Sequence, residues 1–268
     1  MRKLALVVLL GAFAVSGQEF TMDCKPPFAA DLELSTQANE SCGIFGDAGD
    51  DPTSAHALQN AAKNNLCAPG EPKVVTFVTF RKLQATIEKR GIANFSSKSL
   101  PKDRSVFEDI VTTTNKEKVG EGTLVQFVAY VAKVKRGGKE SVNCKVTKPT
   151  ALLDFHIVLV PNPDAEECES VTAEAIPHFR PTAWDAARIS SPEVPMRFTG
   201  QLFVDASHKP CKDGKGLAGN PARFSIWEIH PVYAIDVCKF ASKAKCKVDD
   251  DDVWTPLDQW EEPEAEGD

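Results

Sequence analysis

Two short segments of the sequence each place an acid two residues before a histidine: Asp154 with His156, and Glu228 with His230. In an extended strand, residues i and i+2 lie on the same face, so each acid lies beside its histidine. A neighbouring carboxylate raises the pKa of an imidazole and selects its tautomer, as a general base or a metal ligand requires. If both pairs face one cleft, the four residues predict a divalent-metal or acid–base site, and hence a metal-dependent, nuclease-like hydrolase.

The same two pairs also have a structural interpretation. Leu153, Phe155 and Ile157 alternate with the first pair, which predicts that this pair lies on the polar, solvent-facing side of its strand. The second pair shares its face with Phe224 and Ile226. It would therefore edge the core, where buried polar groups need hydrogen-bond partners. The sequence leaves both interpretations open.

Four more residues are candidates for ligand binding. His178 and Arg180 lie in a proline-bounded turn, and a rigid loop of this kind suits an anionic or planar ligand, although the arginine could instead pair with an acid. His208 lies just before a loop rich in glycine and lysine, at 209–221. Trp227 has the opposite strand parity from the neighbouring acid–histidine pair, and it is expected either to present an aromatic surface to a ligand or to pack in the core.

Five strand-like segments, separated by turn signals, surround these candidates. They span 123–135, 152–160, 170–176, 196–204 and 224–237, with a short helix at 182–189. The order β-β-β-α-β-β predicts an OB-like antiparallel barrel of five strands. An SH3-like barrel or a small sandwich has a similar number of strands, but the intervening helix and the long first strand favour the OB-like barrel. Gly200, isolated within the fourth strand, predicts a bend or bulge.

A smaller part with helices and a strand precedes this barrel. A helix is predicted to run to Lys63 from an N-cap at Asp51, and the run KVVTFVTF at 73–80 predicts a strand. Further helices are predicted at 81–90, closed by Gly91, and at 103–111. The chain is therefore expected to be α+β, with an N-terminal α/β part at 18–119, a barrel domain at 120–247 and an acidic, flexible tail at 248–268.

The first 17 residues have the pattern of a secretory signal peptide, with Arg2 and Lys3 before an apolar run and small residues after it. The run of about 12 apolar residues is shorter than the roughly 20 that a membrane-spanning helix needs. We therefore expect an exported protein, periplasmic or extracellular, without a transmembrane anchor in the mature chain.

Eight cysteines are consistent with export, because an oxidising compartment allows up to four disulfides. They are Cys24, Cys42, Cys67, Cys144, Cys168, Cys211, Cys238 and Cys246. No two of them have the close spacing of a thiolate zinc site. Connectivity does not follow from sequence, although the pairs Cys42–Cys67 and Cys144–Cys168 are expected because each would flank one local unit.

The charge of the chain is concentrated at one end. The formal net charge is −7, but ten of the 38 acidic residues follow Lys247 and no basic residue does. Removing those ten leaves 28 acidic residues against 31 basic ones. A body so close to neutral has no strong electrostatic footprint for nucleic acid.

Three runs near the candidate residues, ESVTAEAIPHFRPTAW, RFTGQLFVDASHKPC and WEIHPVYAIDVC, resemble a group of exported bacterial proteins that share a W-E-I-H-P run near the end of a β-rich domain. The resemblance covers about residues 140–238. It implies export, but no activity or functional residue is carried over from it. The leading hypothesis is an exported, disulfide-stabilised binding or scaffold protein whose ligand or envelope partner and cofactors the sequence leaves unknown. The hydrolase is the alternative.

Overall fold

The structure is a computed structural model that describes residues 43–64, 68, 70–91, 101–145, 153–177 and 180–262. The signal-like segment, Cys24, Cys42, Cys67 and His178 lie outside the described residues. In chain order, the helices and strands are α1 (Ala55–Lys63), β1 (Lys73–Val75), α2 (Phe77–Arg90), β2 (Val111–Thr112), β3 (Lys118–Val119), β4 (Leu124–Arg136), β5 (Phe155–Val160), β6 (Val171–Ala175), α3 (Ala186–Ser190), β7 (Met196–Val204), β8 (Trp227–Cys238) and β9 (Trp254–Pro256). In these ranges, no helix combines the length and the hydropathy needed to span a bilayer.

Strands β4 to β8 form a closed barrel. Their order is β4-β5-β6-β8-β7, and β7 pairs with β4 to close the ring. Four of these pairings are antiparallel, and the β6–β8 pairing is parallel, so the barrel is mixed rather than wholly antiparallel. The α3 helix lies between the third and fourth barrel strands. The predicted OB-like barrel in an α+β chain is therefore confirmed.

The long strand β4 makes closure possible. Residues 124–129 pair with β7, and residues 130–136 pair with β5, with a register shift between Val131 and Lys133. One strand thus serves two neighbours at its two ends. Alternate residues of β5, namely Phe155, Ile157 and Leu159, are buried in the core cluster inside the barrel, as the alternation of the sequence predicts.

The predicted bend at Gly200 is also confirmed. The β7–β8 register shifts on both sides of this residue. A Cβ atom at position 200 would lie 2.4 Å from the carbonyl oxygen of Pro231 and 2.5 Å from Cγ2 of Ile229. Only glycine allows the two strands to approach this closely.

Part of the predicted 73–80 strand is helical. Strand β1 ends at Val75 because Thr76 caps α2 and exchanges side-chain and backbone hydrogen bonds with Thr79. This capping box, together with the buried stripe formed by Phe80 and Leu83, outweighs the β propensity of the run. The β propensity of the run predicted a strand throughout, but the residues from Phe77 onward are helical.

Three other helix predictions are refined by the structure. The α1 helix begins after Ser54, whose side chain accepts from the Ala57 backbone, whereas Asp51 binds Thr53 in the preceding turn. The predicted C-cap at Gly91 is confirmed, with a left-handed φ of 63°. The predicted helix at 103–111 is reduced to a 3-10 turn, Arg104–Phe107, followed by β2.

The acidic segment after Lys247, predicted to be flexible, contributes structure in its described part. Strand β9 pairs with the end of β8. Trp254 is buried and its indole N–H donates to the Lys247 carbonyl, and Leu257 joins the main core. Apolar residues spaced among the acids thus attach this segment to the barrel.

Two disulfides lie within the described residues, Cys168–Cys211 and Cys238–Cys246. The expected pair Cys144–Cys168 is wrong, because Cys168 is bonded to Cys211, 43 positions further along the chain. Cys144 is itself disulfide-bonded. The Cys168–Cys211 bond ties the loop between β7 and β8 to the start of β6, a link between segments that sequence spacing does not reveal.

Candidate functional site

The outer face of strands β5, β6 and β8 carries a polar patch. His156 on β5 is the cross-strand partner of Glu174 on β6, and Thr172 on β6 is the partner of Glu228 on β8. Because residues two apart share a strand face, Glu174 lies beside Thr172, and His230 lies beside Glu228. Intervening residues of the three strands belong to the barrel core. Both predicted acid–histidine pairs therefore reach the same three-stranded surface.

This patch is covered by other segments of the chain. The segment at 137–145 folds back from β4 over β5, where the backbone N–H of Gly137 donates to the carbonyl of Asp154. Asp154 is only 1% exposed, whereas the side chain of His156 is 27% exposed. The predicted solvent-facing position is therefore wrong for Asp154. Strand alternation predicts which face of the sheet a side chain lies on. It does not predict whether another segment of the chain covers that face.

Glu174 is the centre at which the two pairs meet. One of its carboxylate oxygens lies 3.3 Å from Nε2 of His156, and the other lies 3.2 Å from Nε2 of His230. The ammonium of Lys63, from α1, lies 2.9 Å from Glu174 and 2.7 Å from Glu140. The predicted histidines thus converge through a third acid and are joined by a lysine from the helix above.

Four of these side chains could hold one cation. Glu140, Asp154, His156 and Glu174 each offer a potential ligand atom, and these atoms all lie within 4.8 Å of one another. Asp154 accepts from the side-chain amide of Asn143 through Oδ1 at 3.0 Å. Its buried Oδ2 has no hydrogen-bond partner among the described residues. Three carboxylates and one imidazole are a donor set that suits a divalent transition-metal ion.

The electrostatics of this group are dominated by burial and by the crowding of acids. Burial, followed by the charge of Glu140, raises the pKa of Asp154 to about 7. Burial opposes protonation of His156, but the charge of Glu174 and the hydrogen bond to Glu140 raise the pKa of His156 to about 9. Burial also opposes ionisation of Glu174, yet Lys63 and His156 hold the pKa of Glu174 well below its usual range. A divalent cation would replace the protons that this group otherwise retains.

A second polar group lies beside the first, in the loop between β7 and β8. Asp205 accepts from Nη2 of Arg223 at 2.7 Å and from the backbone of Ser207 at 2.9 Å. Nδ1 of His208 lies 2.8 Å from the same carboxylate. Burial favours the neutral acid, but the bond from His208 and the charge of Arg223 hold the pKa of Asp205 well below its usual range. Asp205 therefore stays ionised and orients the His208 ring.

The two groups open into one cleft. The larger opening has a volume of about 300 Å³ and is lined by α1, by the segment around Glu140, and by His156, Asp205 and His208. A smaller opening of about 80 Å³ reaches the same His156, Asp205 and His208 together with Glu174. The side chain of His208 is 40% exposed. A small molecule entering this cleft would therefore contact both His156 and His208.

Two of the predicted ligand-binding residues, Trp227 and Arg180, are buried outside the cleft. Trp227 is fully buried in the barrel core and makes an edge-to-face contact with Phe107, with ring centroids 6.3 Å apart. Trp227 therefore packs in the core, as one of its two interpretations predicted, and does not present an exposed aromatic surface. Arg180 is buried, donates to the carbonyls of Leu153 and Ala175, and stacks on Phe155 at 4.1 Å. Neither side chain lines the cleft.

Four residues of the cleft were not among the candidates that the sequence pattern indicated: Lys63, Glu140, Glu174 and Asp205. Glu174 carried a usable signal, because it is a single acid inside a strand of otherwise apolar and small residues, and such a residue needs a partner when buried. Lys63 and Glu140 carried none, since a lysine at a helix end and an acid in a polar loop are ordinary surface patterns. Their roles depend on the packing of α1 and of the 137–145 segment over the barrel.

The cleft thus combines four convergent potential ligand atoms with a histidine that an aspartate orients. Such a combination can hold a divalent cation and move a proton beside it. In comparisons with known proteins, this chain matches no protein-family model, no curated protein and no solved structure.

Proposed function

We propose that this chain is an exported, disulfide-stabilised barrel protein that binds one divalent transition-metal ion in the cleft. The observation that carries the proposal is the convergence of four ligand atoms within 4.8 Å, from Glu140, Asp154, His156 and Glu174. The buried Asp154 oxygen without a hydrogen-bond partner is a second, independent support, because such a group is costly unless something binds it. Export is supported by the signal-like first 17 residues and by the disulfides.

The chemistry of the donors favours a particular class of ion. An imidazole among carboxylates suits zinc, manganese or iron better than calcium, which takes six to eight oxygen ligands. Two of the four ligand residues, Glu140 and His156, line the larger opening of the cleft, so an ion bound by them would be reached from that opening. With four protein ligands, an ion that prefers octahedral coordination, such as Mn²⁺, keeps a coordination position for water or for a small ligand.

Lys63 is the competitor for the same carboxylates. Its ammonium forms ion pairs with Glu140 and Glu174, so a bound cation must compete with it. The alternative is that this group serves only as an ion-pair network that attaches α1 to the barrel. The two roles predict different effects of the substitution Lys63→Met. In a metal site the substitution removes a competing cation and tightens metal binding, whereas in a purely structural network it only destabilises the fold.

Isothermal titration calorimetry of the full-length chain, dialysed against chelator and then against plain buffer, tests the proposal. We expect saturable binding of one Zn²⁺ or Mn²⁺ per chain and weak binding of Mg²⁺. His156→Ala and Glu174→Gln should each lower the affinity by more than about 100-fold, because the removal even of outer-shell partners typically costs about 10–100-fold. Lys63→Met should raise the affinity.

The matched control is Glu193→Gln, which removes an exposed acid outside the cleft and should leave the affinity unchanged. Metal should also raise the melting temperature of the wild-type chain, and not of His156→Ala, since binding to the folded state alone stabilises it. Absence of saturable binding to the wild type, or equal affinities of the wild type and the two ligand variants, would reject the proposed site.

A further inference from the structure

We propose that this cleft hydrolyses phosphate esters, with His208 as the general base that activates a water molecule. The inference rests on the proposed metal site, because the bound cation would supply the charge that lowers the pKa of the water. It adds a reaction, a catalytic residue and a substrate class to that site.

The geometry of His208 is that of an oriented base. Its Nδ1 lies 2.8 Å from Asp205, and an ionised aspartate at that nitrogen selects the tautomer whose Nε2 accepts a proton. Asp205 is held in turn by Arg223, which is 1% exposed. Within the described chain, Nε2 of His208 has no hydrogen-bond partner, and the side chain reaches the cleft.

The loop that carries His208 is anchored at several points. Cys211 is bonded to Cys168, and the hydroxyl of Ser207 accepts from the side-chain amide of Gln59 on α1 at 2.9 Å. Ser207 also donates its backbone N–H to Asp205. A catalytic base requires such support, because it must be held within hydrogen-bond reach of the proton that it removes.

His208 lies beside the potential ligand set and is not a member of it. It lines both openings together with His156, but its ring nitrogens are outside the group of four atoms that converge within 4.8 Å. That position suits a base that acts on a water molecule at the cation, because the water needs room between the cation and the base.

The charge around the cleft selects the substrate class. Lys135 is the cross-strand partner of His156, and Lys139 lines the larger opening. Both side chains are exposed, and neither forms an ion pair within the described part of the chain. Unpaired ammonium groups around a cleft whose floor holds a cation favour a phosphate group. The carboxylates of the floor would repel the same phosphate if no cation were bound.

The reaction is a displacement at phosphorus. Nε2 of His208 takes a proton from water, and the water oxygen forms a bond to phosphorus. The ester P–O bond on the opposite side of phosphorus breaks, and its electron pair leaves with the alcohol oxygen, which takes a proton from solvent while the His208 imidazolium returns its proton to solvent. Water is the only co-reactant, and no oxidation or reduction occurs.

The test uses the full-length chain loaded with Zn²⁺ or Mn²⁺ and two probes, bis(p-nitrophenyl) phosphate and p-nitrophenyl phosphate, with release of p-nitrophenol as the readout. We expect hydrolysis that chelator abolishes. His208→Gln should lower kcat by about 10²- to 10⁴-fold, the usual contribution of a general base, with metal affinity in calorimetry unchanged. Lys135→Gln should raise KM with little effect on kcat, and Glu193→Gln should match the wild type.

Each alternative outcome has a distinct meaning. If the metal binds as proposed but neither phosphate ester is hydrolysed, the hydrolytic inference is overturned and the metal site stands. If no metal binds, both proposals fail together. Equal kcat for His208→Gln and the wild type would reject His208 as the base. Hydrolysis of p-nitrophenyl acetate without hydrolysis of either phosphate would reject the substrate class.

Discussion

Replacing Arg223 with methionine is expected to lower the free energy of unfolding by about 3–5 kcal/mol, the usual cost of removing one partner of a buried ion pair. The guanidinium is 1% exposed and donates to Asp205 and Glu228, at 2.7 Å in both cases. The substitution leaves Asp205 as a buried carboxylate without its main cation. Urea denaturation at neutral pH, followed by tryptophan fluorescence, measures the loss.

Glu228→Gln is the matched control for this prediction. Burial and then the charges of Glu174 and Asp205 raise the pKa of Glu228 well above its usual range, despite the nearby Arg223. The acid is therefore expected to be neutral, and glutamine keeps an oxygen to accept from Arg223. We expect this change to cost less than about 1 kcal/mol. Losses of equal size for Arg223→Met and Glu228→Gln would contradict the assignment of Asp205 as the dominant buried charge.

The effect of Arg223→Met should also depend on pH with a definite sign. The pKa of Asp205 is lower in the folded chain than in the unfolded chain. Stability that arises from such a shift is present above the unfolded pKa and is lost as the pH falls towards the folded pKa. The difference in unfolding free energy between the wild type and Arg223→Met should therefore shrink as the pH falls below about 4. A difference that stays constant from pH 7 to pH 3 would contradict this origin.

Trp227→Ala is expected to lower the free energy of unfolding by about 3–5 kcal/mol, the usual cost of truncating a large aromatic residue in a core. Trp227 is fully buried inside the barrel, pairs with Val204 across β7 and β8, and contacts the ring of Phe107. Its removal leaves a cavity that strands on a closed barrel cannot collapse to fill. Urea denaturation followed by far-UV circular dichroism is the appropriate measurement, because the substitution also changes the fluorescence.

Two further variants, Trp227→Phe and Val78→Ala, are the controls for Trp227→Ala. Trp227→Phe should cost much less, because a phenyl ring fills most of the space and removes an indole N–H that has no hydrogen-bond partner among the described residues. Val78→Ala removes an apolar side chain that is 55% exposed, and it should change stability by less than about 0.5 kcal/mol. If Trp227→Ala were as mild as Val78→Ala, the barrel core would not depend on this residue.

The barrel could be predicted because its signals are local. The apolar alternation of β5 and the many β-branched and aromatic residues of β4 and β7 follow directly from residue order. Strand β7 has the predicted bounds, Met196–Val204, and Gly200 lies at the predicted irregularity. Errors occurred where a different local signal competed, as at Thr76, where a helix cap outweighed β propensity.

Of the four potential metal ligands, the sequence pointed to Asp154 and His156 but not to Glu140 or Glu174. Strand periodicity correctly placed Asp154 with His156 and Glu228 with His230 on common faces. It could not show that Glu174 joins the two histidines, because cross-strand register depends on how β5, β6 and β8 pair around the ring. Nor could it show that Asp205 and Arg223 turn His208 towards the cleft, since those contacts depend on the path of the long loop between β7 and β8.

The amino-acid sequence by itself determined the five barrel strands and their order along the chain, the bulge at Gly200, the alternating core residues of β5 and the spacing of the acid–histidine pairs, because each of these follows from the period of side chains along one segment. Tertiary structure alone decided that Lys63 and Glu140 cover those pairs, that Trp227 lies inside the barrel, and that Cys168 bonds to Cys211. The physical reason is that a buried charge is tolerated only through partners, and here segments distant along the chain supply them.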